Sequence, residues 1–202
     1  MIKACRSLPN KSLWWEAFIT LCYSAGTRAN EAIHLTWSDI DFENERVRIV
    51  PKAETAGLEA WRPKDYDPPT VRAPSHTIAL LSRLHSEADE GSEFVFVPQT
   101  RAAWIRIQRA TGRWTEGAAV VNNMTRDFKA IVRKAGILDA TLHDLRRSCI
   151  THWAKRLAAP VVQELAGHVD IKTTLTYYVT IRDEDMSEAA DITARTLLSD
   201  AE

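Results

Sequence analysis

The sequence is poor in the residues that characterise several specialised protein classes. Glycine occurs 7 times and cysteine 3 times in 202 residues, which excludes a collagen-like chain and a disulfide-stapled scaffold. The cysteines show no metal-ligand spacing, and their small, odd number indicates a reducing, cytosolic setting. No apolar run reaches the roughly 18 residues of a membrane-spanning helix, and the N-terminus lacks the pattern of a secretory signal.

The remaining composition is that of an ordinary globular domain. Hydrophobic residues make up 45% of the chain and charged residues 26%, enough for a hydrophobic core at this length. We therefore expect one compact domain over residues 1–182. The last segment, 183–202, is acidic and partly amphipathic, and we expect it to form a helical tail.

The net charge of −1 conceals an uneven distribution. Residues 101–156 carry twelve Lys or Arg and four acidic residues, whereas residues 182–202 carry two basic and seven acidic residues. Such segregation suggests a basic working face beside an acidic tail. Helix faces that are simply solvated would give a similar pattern, so charge alone does not establish nucleic-acid binding.

Hydrophobic periodicity predicts a mainly helical chain with a little strand. Strands are expected at 46–50 and near 70–72, and the apolar run 94–97 fits either a strand or a buried loop. Together these elements predict an α+β domain with a small antiparallel sheet. Helices are expected at 11–25, 28–36, 75–90, 100–110, 123–135, 142–156, 160–166, 171–179 and 184–198.

Three segments carry residues suited to phosphate chemistry. His143 and Arg146 are three residues apart and share one face of a predicted helix. Arg28 opens another predicted helix, with Glu31 one turn on to hold its guanidinium. A Gly-His pair ending at His168 follows, with a tyrosine nine residues later. Each segment alone is a weak signal, since such pairs occur by chance.

In this order the three segments resemble the catalytic domain of tyrosine recombinases, the phage integrase family. That family has Arg with Glu three residues on, a hairpin Lys, His-x-x-Arg, Gly-His, and Tyr nine residues after that His. The order and spacing match from Arg28 to Tyr177, which is most of the chain. The resemblance implies the same α+β fold and catalytic roles for five residues: Arg28, His143, Arg146, His168 and Tyr177. Tyr178 is the alternative nucleophile.

The catalytic lysine that the resemblance implies has two candidates. Counting forward from Arg28 favours Lys52, directly after the predicted strand 46–50. Counting back from the strand near 70–72 favours Lys64, with a long insertion placed before the hairpin. We select Lys64 and keep Lys52 as the alternative.

The implied chemistry needs no cofactor and no metal. Two guanidiniums and histidine donors can stabilise the charge that a phosphodiester gathers in its transition state. A phenol is a poor nucleophile at neutral pH without cations and a proton acceptor, because its pKa is about 10. The resemblance therefore implies cleavage and rejoining of double-stranded DNA through a 3′-phosphotyrosyl link, for integration, excision or resolution. It also implies a homo-oligomer, a tetramer on DNA, in the cytoplasm beside the nucleoid.

Two departures from the family pattern leave other functions open. The family's N-terminal DNA-clamping domain is expected to be absent here, since only 27 residues precede Arg28. A non-catalytic DNA-binding remnant, a type IB topoisomerase-like enzyme and a helical interaction domain without DNA are the alternatives. In relatives the last helix docks on a neighbouring protomer, and segment 183–202 is expected either to do the same or to fold back on its own domain.

Overall fold

A computed structural model gives the fold of the chain. It describes residues 1–9, 11–53, 60–63, 70–115 and 117–178, together with the isolated residues 187 and 191. The described helices are α1 (Ile2–Arg6), α2 (Ser12–Ser24), α3 (Ala29–Ile33), α4 (Ser75–Ser86), α5 (Gln99–Ala110), α6 (Met124–Lys134), α7 (Leu142–Ala154), α8 (Ala159–Ala166) and α9 (Ile171–Leu175). The strands are β1 (Ile40–Asp41), β2 (Arg46–Arg48) and β3 (Thr70–Arg72), and one 3-10 turn spans Trp37–Asp39.

Helix α2 forms the centre of the main core. Its aromatic residues pack on one another and on the chain after α4. The ring of Trp14 stacks on that of Phe18 at 5.2 Å, and Phe96 meets Phe18 edge-on at 5.2 Å. Phe18 and Phe96 are fully buried. Aromatic pairs in these geometries add stability beyond the area they bury, so α2 anchors the surrounding helices α1, α4 and α7.

The sheet is three-stranded and antiparallel, in the order β1-β2-β3. Val47 of β2 is opposite Ile40 on one side and Val71 on the other. These three side chains are buried, so the sheet turns one face to the core. Beyond β2 the hairpin continues, since Lys52 and Trp61 exchange two backbone hydrogen bonds of 2.8 and 2.9 Å.

A second small cluster holds the C-terminal helices together. Ile150 of α7 is buried against Val162 and Ala166 of α8. Trp153, Tyr177 and Tyr178 pack on the edge of this cluster. The two candidate nucleophiles are therefore held in place by packing against α7 and α8.

The predicted helices and strands within the described residues are found, with some ends shifted. The second helix ends at Ile33, the 75–90 helix at Ser86 and the 171–179 helix at Leu175. The apolar run 94–97 is a buried loop joined to residue Thr36 by an isolated bridge at Phe94. The predicted tail 183–202 lies outside the described residues, apart from the two isolated ones.

Candidate active site

Arg146 is the buried centre of the site. It lies on α7 and is 4% exposed. Its Nη1 donates to the carbonyl oxygen of Gly26 at 2.6 Å, and its Nη2 donates to that of Ala166 at 2.5 Å. A buried guanidinium needs such acceptors, because an unpaired charge in the interior is costly. The two bonds tie the segment before α3 to the end of α8.

Gly26 occupies a position where a side chain would be both strained and crowded. Its φ of +65° lies in the left-handed region. A Cβ there would stand 2.9 Å from Cη2 of Trp153 and 3.6 Å from Sγ of Cys149. The glycine thus allows α7 to approach closely enough for Arg146 to reach the Gly26 carbonyl.

Arg28 precedes α3 and is held by the predicted partner. The carboxylate of Glu31, which is 3% exposed, accepts from the Arg28 backbone N–H at 2.7 Å and from its Nη1 at 2.6 Å. The guanidinium is thereby restricted to one direction. Arg28 and Arg146 line one small pocket, whose wall also includes Ile49, Pro63, Val71 and Gly167.

His143 lies on the exposed side of α7, one turn before Arg146. Partial burial lowers its pKa below the ordinary value of 6.5, and the positive charges of Arg146 and Arg28 lower it further. Asp144 acts in the opposite direction. His143 lies one turn from Arg146 on α7, and its lowered pKa favours the neutral ring at pH 7.

His168 and Tyr177 form a stacked pair. Gly167 adopts the left-handed conformation that ends α8, so the chain turns directly into His168. The His168 Nδ1 hydrogen-bonds the hydroxyl of the fully buried Thr174 at 2.9 Å. The His168 ring lies 6.1 Å from the Tyr177 ring, at 19° between planes. The histidine of the Gly-His motif and the tyrosine nine residues later are therefore adjacent in space.

Tyr178 has a different environment from its neighbour. Its hydroxyl donates to the carbonyl oxygen of Leu157 at 2.6 Å. Burial raises its pKa. Both features oppose formation of a nucleophilic phenolate on Tyr178.

The structure describes only one of the two candidate lysines directly. Lys52 directs its Nζ to the carboxylate of Asp39, at 2.6 and 2.5 Å from the two oxygens. Asp39 is itself 3% exposed. Lys64 lies outside the described residues, but Pro63, which precedes it, lines the pocket of the two arginines.

Several basic residues of segment 101–156 contact their own helices and loops. The Arg101 guanidinium lies 4.3 Å from the centre of the Trp104 ring and donates to the Val120 carbonyl oxygen at 2.9 Å. Lys129 pairs with Asp139. Among the described residues, no three His, Cys, Asp or Glu side chains are grouped to hold a metal ion, and no described helix is long and apolar enough to cross a membrane.

No sequence motif marks the carbonyl acceptors of Arg146 or the hydrogen bond from Thr174 to His168. For the Gly26 carbonyl, the available sequence signal was the glycine itself, which lies just before Arg28 and the start of a predicted helix. The Ala166 carbonyl has no signal in the sequence, because it depends on how α8 ends against α7.

Comparison with known proteins agrees with this geometry. The model of the phage integrase family matches residues 1–185. The chain belongs to the phage integrase family, and its fold is that of tyrosine recombinase catalytic domains, as the sequence analysis predicted.

The relatives are tyrosine recombinases. Tyrosine recombinase XerC of Bifidobacterium longum (strain DJO10A) is 28% identical over 163 residues, which cover 80% of this chain and 42% of the relative. A tyrosine recombinase XerC-like protein of Caldanaerobacter subterraneus subsp. tengcongensis is 23% identical over 194 residues, covering 87% and 48%. The chain spans less than half the length of each of these relatives.

Solved structures show the same fold at low identity. The integrase of the Tn1549 transposon, in complex with transposon right end DNA, superposes with a TM-score of 0.70 at 17% identity, covering 96% of this chain and 62% of the integrase. XerA recombinase gives a TM-score of 0.63 at 18% identity, covering 95% and 62%.

Proposed function

We propose that this chain is the catalytic part of a site-specific recombinase that cleaves and rejoins double-stranded DNA through Tyr177. One observation carries the proposal. The buried Arg146 bridges the carbonyls of Gly26 and Ala166 and lines one pocket with Arg28 and Gly167, and the His168 ring that stacks on Tyr177 directly follows Gly167 in the chain. Family membership and the relatives named XerC support the same reaction class.

The cationic groups serve to stabilise the scissile phosphate. Arg28 and Arg146 are each fixed by acceptors on the protein, so they need little reorganisation when charge develops on the non-bridging oxygens. Removing one such donor in other enzymes slows the reaction by about 10²–10³-fold. The His168 ring, oriented by Thr174, lies beside the attacking tyrosine and restricts its position.

In the proposed cleavage step, Tyr177 replaces the 5′ oxygen on the scissile phosphorus. The Tyr177 oxygen forms a bond to phosphorus while the bond from phosphorus to the 5′ oxygen breaks. His143, neutral at pH 7 because its pKa is lowered, accepts the phenolic proton. Lys64 donates a proton to the departing 5′ oxygen. A 3′-phosphotyrosyl link and a free 5′ hydroxyl result, and attack by a 5′ hydroxyl of another strand reverses the step.

The choice of Lys64 over Lys52 rests on the described residues around them. The amine of Lys52 is committed to the buried carboxylate of Asp39. The pocket of the two arginines is bordered by Pro63, one residue before Lys64.

The choice of Tyr177 over Tyr178 rests on the hydroxyl partners. Tyr178 donates to the Leu157 carbonyl, and burial raises its pKa. Tyr177 stacks on His168, the residue directly after Gly167 of the arginine-lined pocket. We further propose that the enzyme acts on DNA as a homo-oligomer beside the chromosome, with residues 1–182 as the catalytic domain and the tail 183–202 docking on a neighbouring copy.

A suicide-substrate assay tests the reaction class. The chain is incubated with a pool of nicked duplexes of randomised sequence around the nick, from which the short cleaved strand diffuses away. We expect a protein–DNA adduct that survives a denaturing gel, is present in Tyr178→Phe and is absent in Tyr177→Phe. An adduct lost only in Tyr178→Phe would keep the class and overturn the nucleophile. Absence of any adduct, with DNA binding retained, would favour a non-catalytic remnant instead.

A further inference from the structure

Thr174 of α9 connects His168 to Tyr177 from a fully buried position. It is 0% exposed. Its hydroxyl lies 2.9 Å from the Nδ1 of His168. Its carbonyl oxygen accepts from the backbone N–H of Tyr177 at 3.0 Å. One residue therefore contacts both the histidine ring and the turn that carries the tyrosine.

The backbone of His168 is fixed as well as its ring. The His168 N–H donates to the carbonyl oxygen of Gln163 at 3.0 Å, and the Gln163 side-chain amide donates to the carbonyl oxygen of His168 at 3.0 Å. Gly167, which directly precedes the histidine, holds the left-handed conformation that ends α8. Because the backbone and the Nδ1 atom are both held, the ring is restricted to one orientation.

The direction of the hydrogen bond between Thr174 and His168 decides which ring nitrogen carries the proton. A neutral imidazole has one protonated and one unprotonated nitrogen. If the Thr174 hydroxyl donates, Nδ1 is the acceptor and the proton lies on Nε2. If Nδ1 donates instead, the hydroxyl hydrogen needs a different acceptor. Among the residues that the structure describes, the Thr174 hydroxyl has no hydrogen-bond partner besides the His168 Nδ1.

A buried hydroxyl hydrogen without an acceptor is unfavourable, and one such group shifts an equilibrium by about tenfold or more. We infer that the Thr174 hydroxyl donates to Nδ1 and thereby fixes His168 as the tautomer that is protonated at Nε2. Thr174 is thus a positioning residue that acts through His168. The catalytic consequence of this inference rests on the proposed function.

The Nε2 proton determines what the histidine can do for a phosphodiester. Phosphate oxygens accept hydrogen bonds, so a protonated Nε2 can donate to them, whereas an unprotonated Nε2 would direct its lone pair at their negative charge. While it is neutral and bonded to Thr174, the His168 ring has no nitrogen left to take the phenolic proton of Tyr177. The Thr174 bond therefore makes His168 a hydrogen-bond donor and leaves proton acceptance to His143.

Two substitutions at Thr174 remove its hydroxyl and its methyl group separately. Thr174→Val keeps the shape of the side chain and loses the hydroxyl. Thr174→Ser keeps the hydroxyl and loses the methyl group. Thr173→Val is the matched control, since Thr173 is the exposed neighbour on the same helix. Thermal melting checks that each variant of the full chain folds.

Nuclear magnetic resonance on the free chain identifies the tautomer without DNA. The chain has six histidines, so the ¹⁵N signals of His168 in the histidine-labelled chain are identified by their absence in His168→Gln. Long-range ¹H–¹⁵N spectra at pH 8 separate protonated from unprotonated ring nitrogens. We expect a single form, protonated at Nε2, in the unaltered chain, in Thr174→Ser and in Thr173→Val. Thr174→Val should show a mixture of the two tautomers.

Single-turnover formation of the covalent adduct measures the catalytic consequence. The probe is a nicked duplex that the unaltered chain cleaves. We expect Thr174→Val to be slower by about tenfold, part of the 10²–10³-fold that one fixed donor contributes. Thr174→Ser and Thr173→Val should react within about threefold of the unaltered chain, because both keep the hydroxyl that bonds His168.

Other results overturn the inference. A His168 ring protonated at Nδ1 in the unaltered chain would reverse the hydrogen bond. A Thr174→Ser variant slower than Thr174→Val would assign the effect to packing of the methyl group. A Thr174→Val variant that keeps the single Nε2 tautomer, or the unaltered rate, would remove the role of the hydroxyl. If the unaltered chain forms no adduct while its spectra show the Nε2 proton, the proposed function fails and the assignment of the proton stands.

Discussion

Replacing Gly26 by alanine tests how the site is built, because the substitution lowers the stability of the fold in two ways that can be measured separately. The first cost is conformational. A φ of +65° lies in the left-handed region, where a residue other than glycine loses about 1–2 kcal/mol of stability. The second cost is steric, since the Cβ would stand 2.9 Å from Cη2 of Trp153. Overpacking of this kind costs about 1–3 kcal/mol.

Gly112→Ala is the matched control. Gly112 has the same φ of +65°, and a Cβ there meets nothing within 4 Å. It carries the conformational cost without the steric one. We therefore expect Gly26→Ala to be less stable than Gly112→Ala by about 1–3 kcal/mol, which for a chain of this size is a melting temperature lower by about 2–12 °C.

The same substitution affects the chemistry at Arg146. Moving Trp153 or the Gly26 backbone shifts the carbonyl that accepts from the Arg146 Nη1. We expect Gly26→Ala to form the covalent DNA adduct at least about tenfold more slowly, since small misplacements at an active site are costly. Gly112→Ala is expected to react at the unaltered rate. Equal melting temperatures for the two variants, together with an unchanged rate for Gly26→Ala, would refute the reasoning.

Three further predictions concern single groups. Arg146→Lys should slow adduct formation by about 10²–10³-fold, because a lysine cannot bridge two carbonyls in fork geometry; a single-turnover rate within threefold of the unaltered chain would contradict this. His143 must be neutral to accept a proton, so the rate should fall on acidification with a midpoint below pH 6.5, the direction of its lowered pKa, and His143→Gln should remove that fall. Burial raises the pKa of the thiols of Cys5, Cys22 and Cys149 to about 11 or 12. The native chain at pH 8 should therefore resist iodoacetamide and react only after unfolding in urea. Rapid labelling of any of these cysteines in the native chain would contradict their burial.

The long helices and strands β2 and β3 were accessible from the sequence because each buries one face. In α6, for example, Phe128, Ile131 and Val132 recur at helical spacing and all are buried. Helix α1 was missed, since a helix of five residues shows no periodicity and here depends on packing against α2 and α6. Strand β1 is only two residues long and was missed for the same reason.

The site was predictable as far as its residues follow motif spacing. Arg28, His143, Arg146, His168 and Tyr177 follow the intervals of the motif in the sequence, and in the described structure Arg28 and Arg146 line one pocket while His168 stacks on Tyr177. The lysine was harder, because the hairpin carries an insertion and counting from either end gives a different residue. Only the folded structure shows that the Lys52 amine forms an ion pair with Asp39. The assignment of Lys64 stays a prediction.

The interactions that fix Arg146 and Lys52, unlike the Glu31 contact of Arg28, were beyond reach of sequence reasoning. Arg146 is positioned by two backbone carbonyls, and any residue type supplies a carbonyl. Asp39, which holds Lys52, lies 13 residues before it and has no motif of its own. Such contacts depend on how helices and turns meet, which local patterns do not encode.

Peptide mapping of the covalent adduct tests the central claim most directly. Trypsin cleaves after Lys172 and Arg182, so both tyrosines fall in the peptide 173–182. After nuclease trimming of the bound DNA, fragment-ion mass spectrometry locates the residual nucleotide on one of them. We predict that it is attached to Tyr177 through a phosphate. Attachment to Tyr178, or an adduct on any other peptide, would contradict the account.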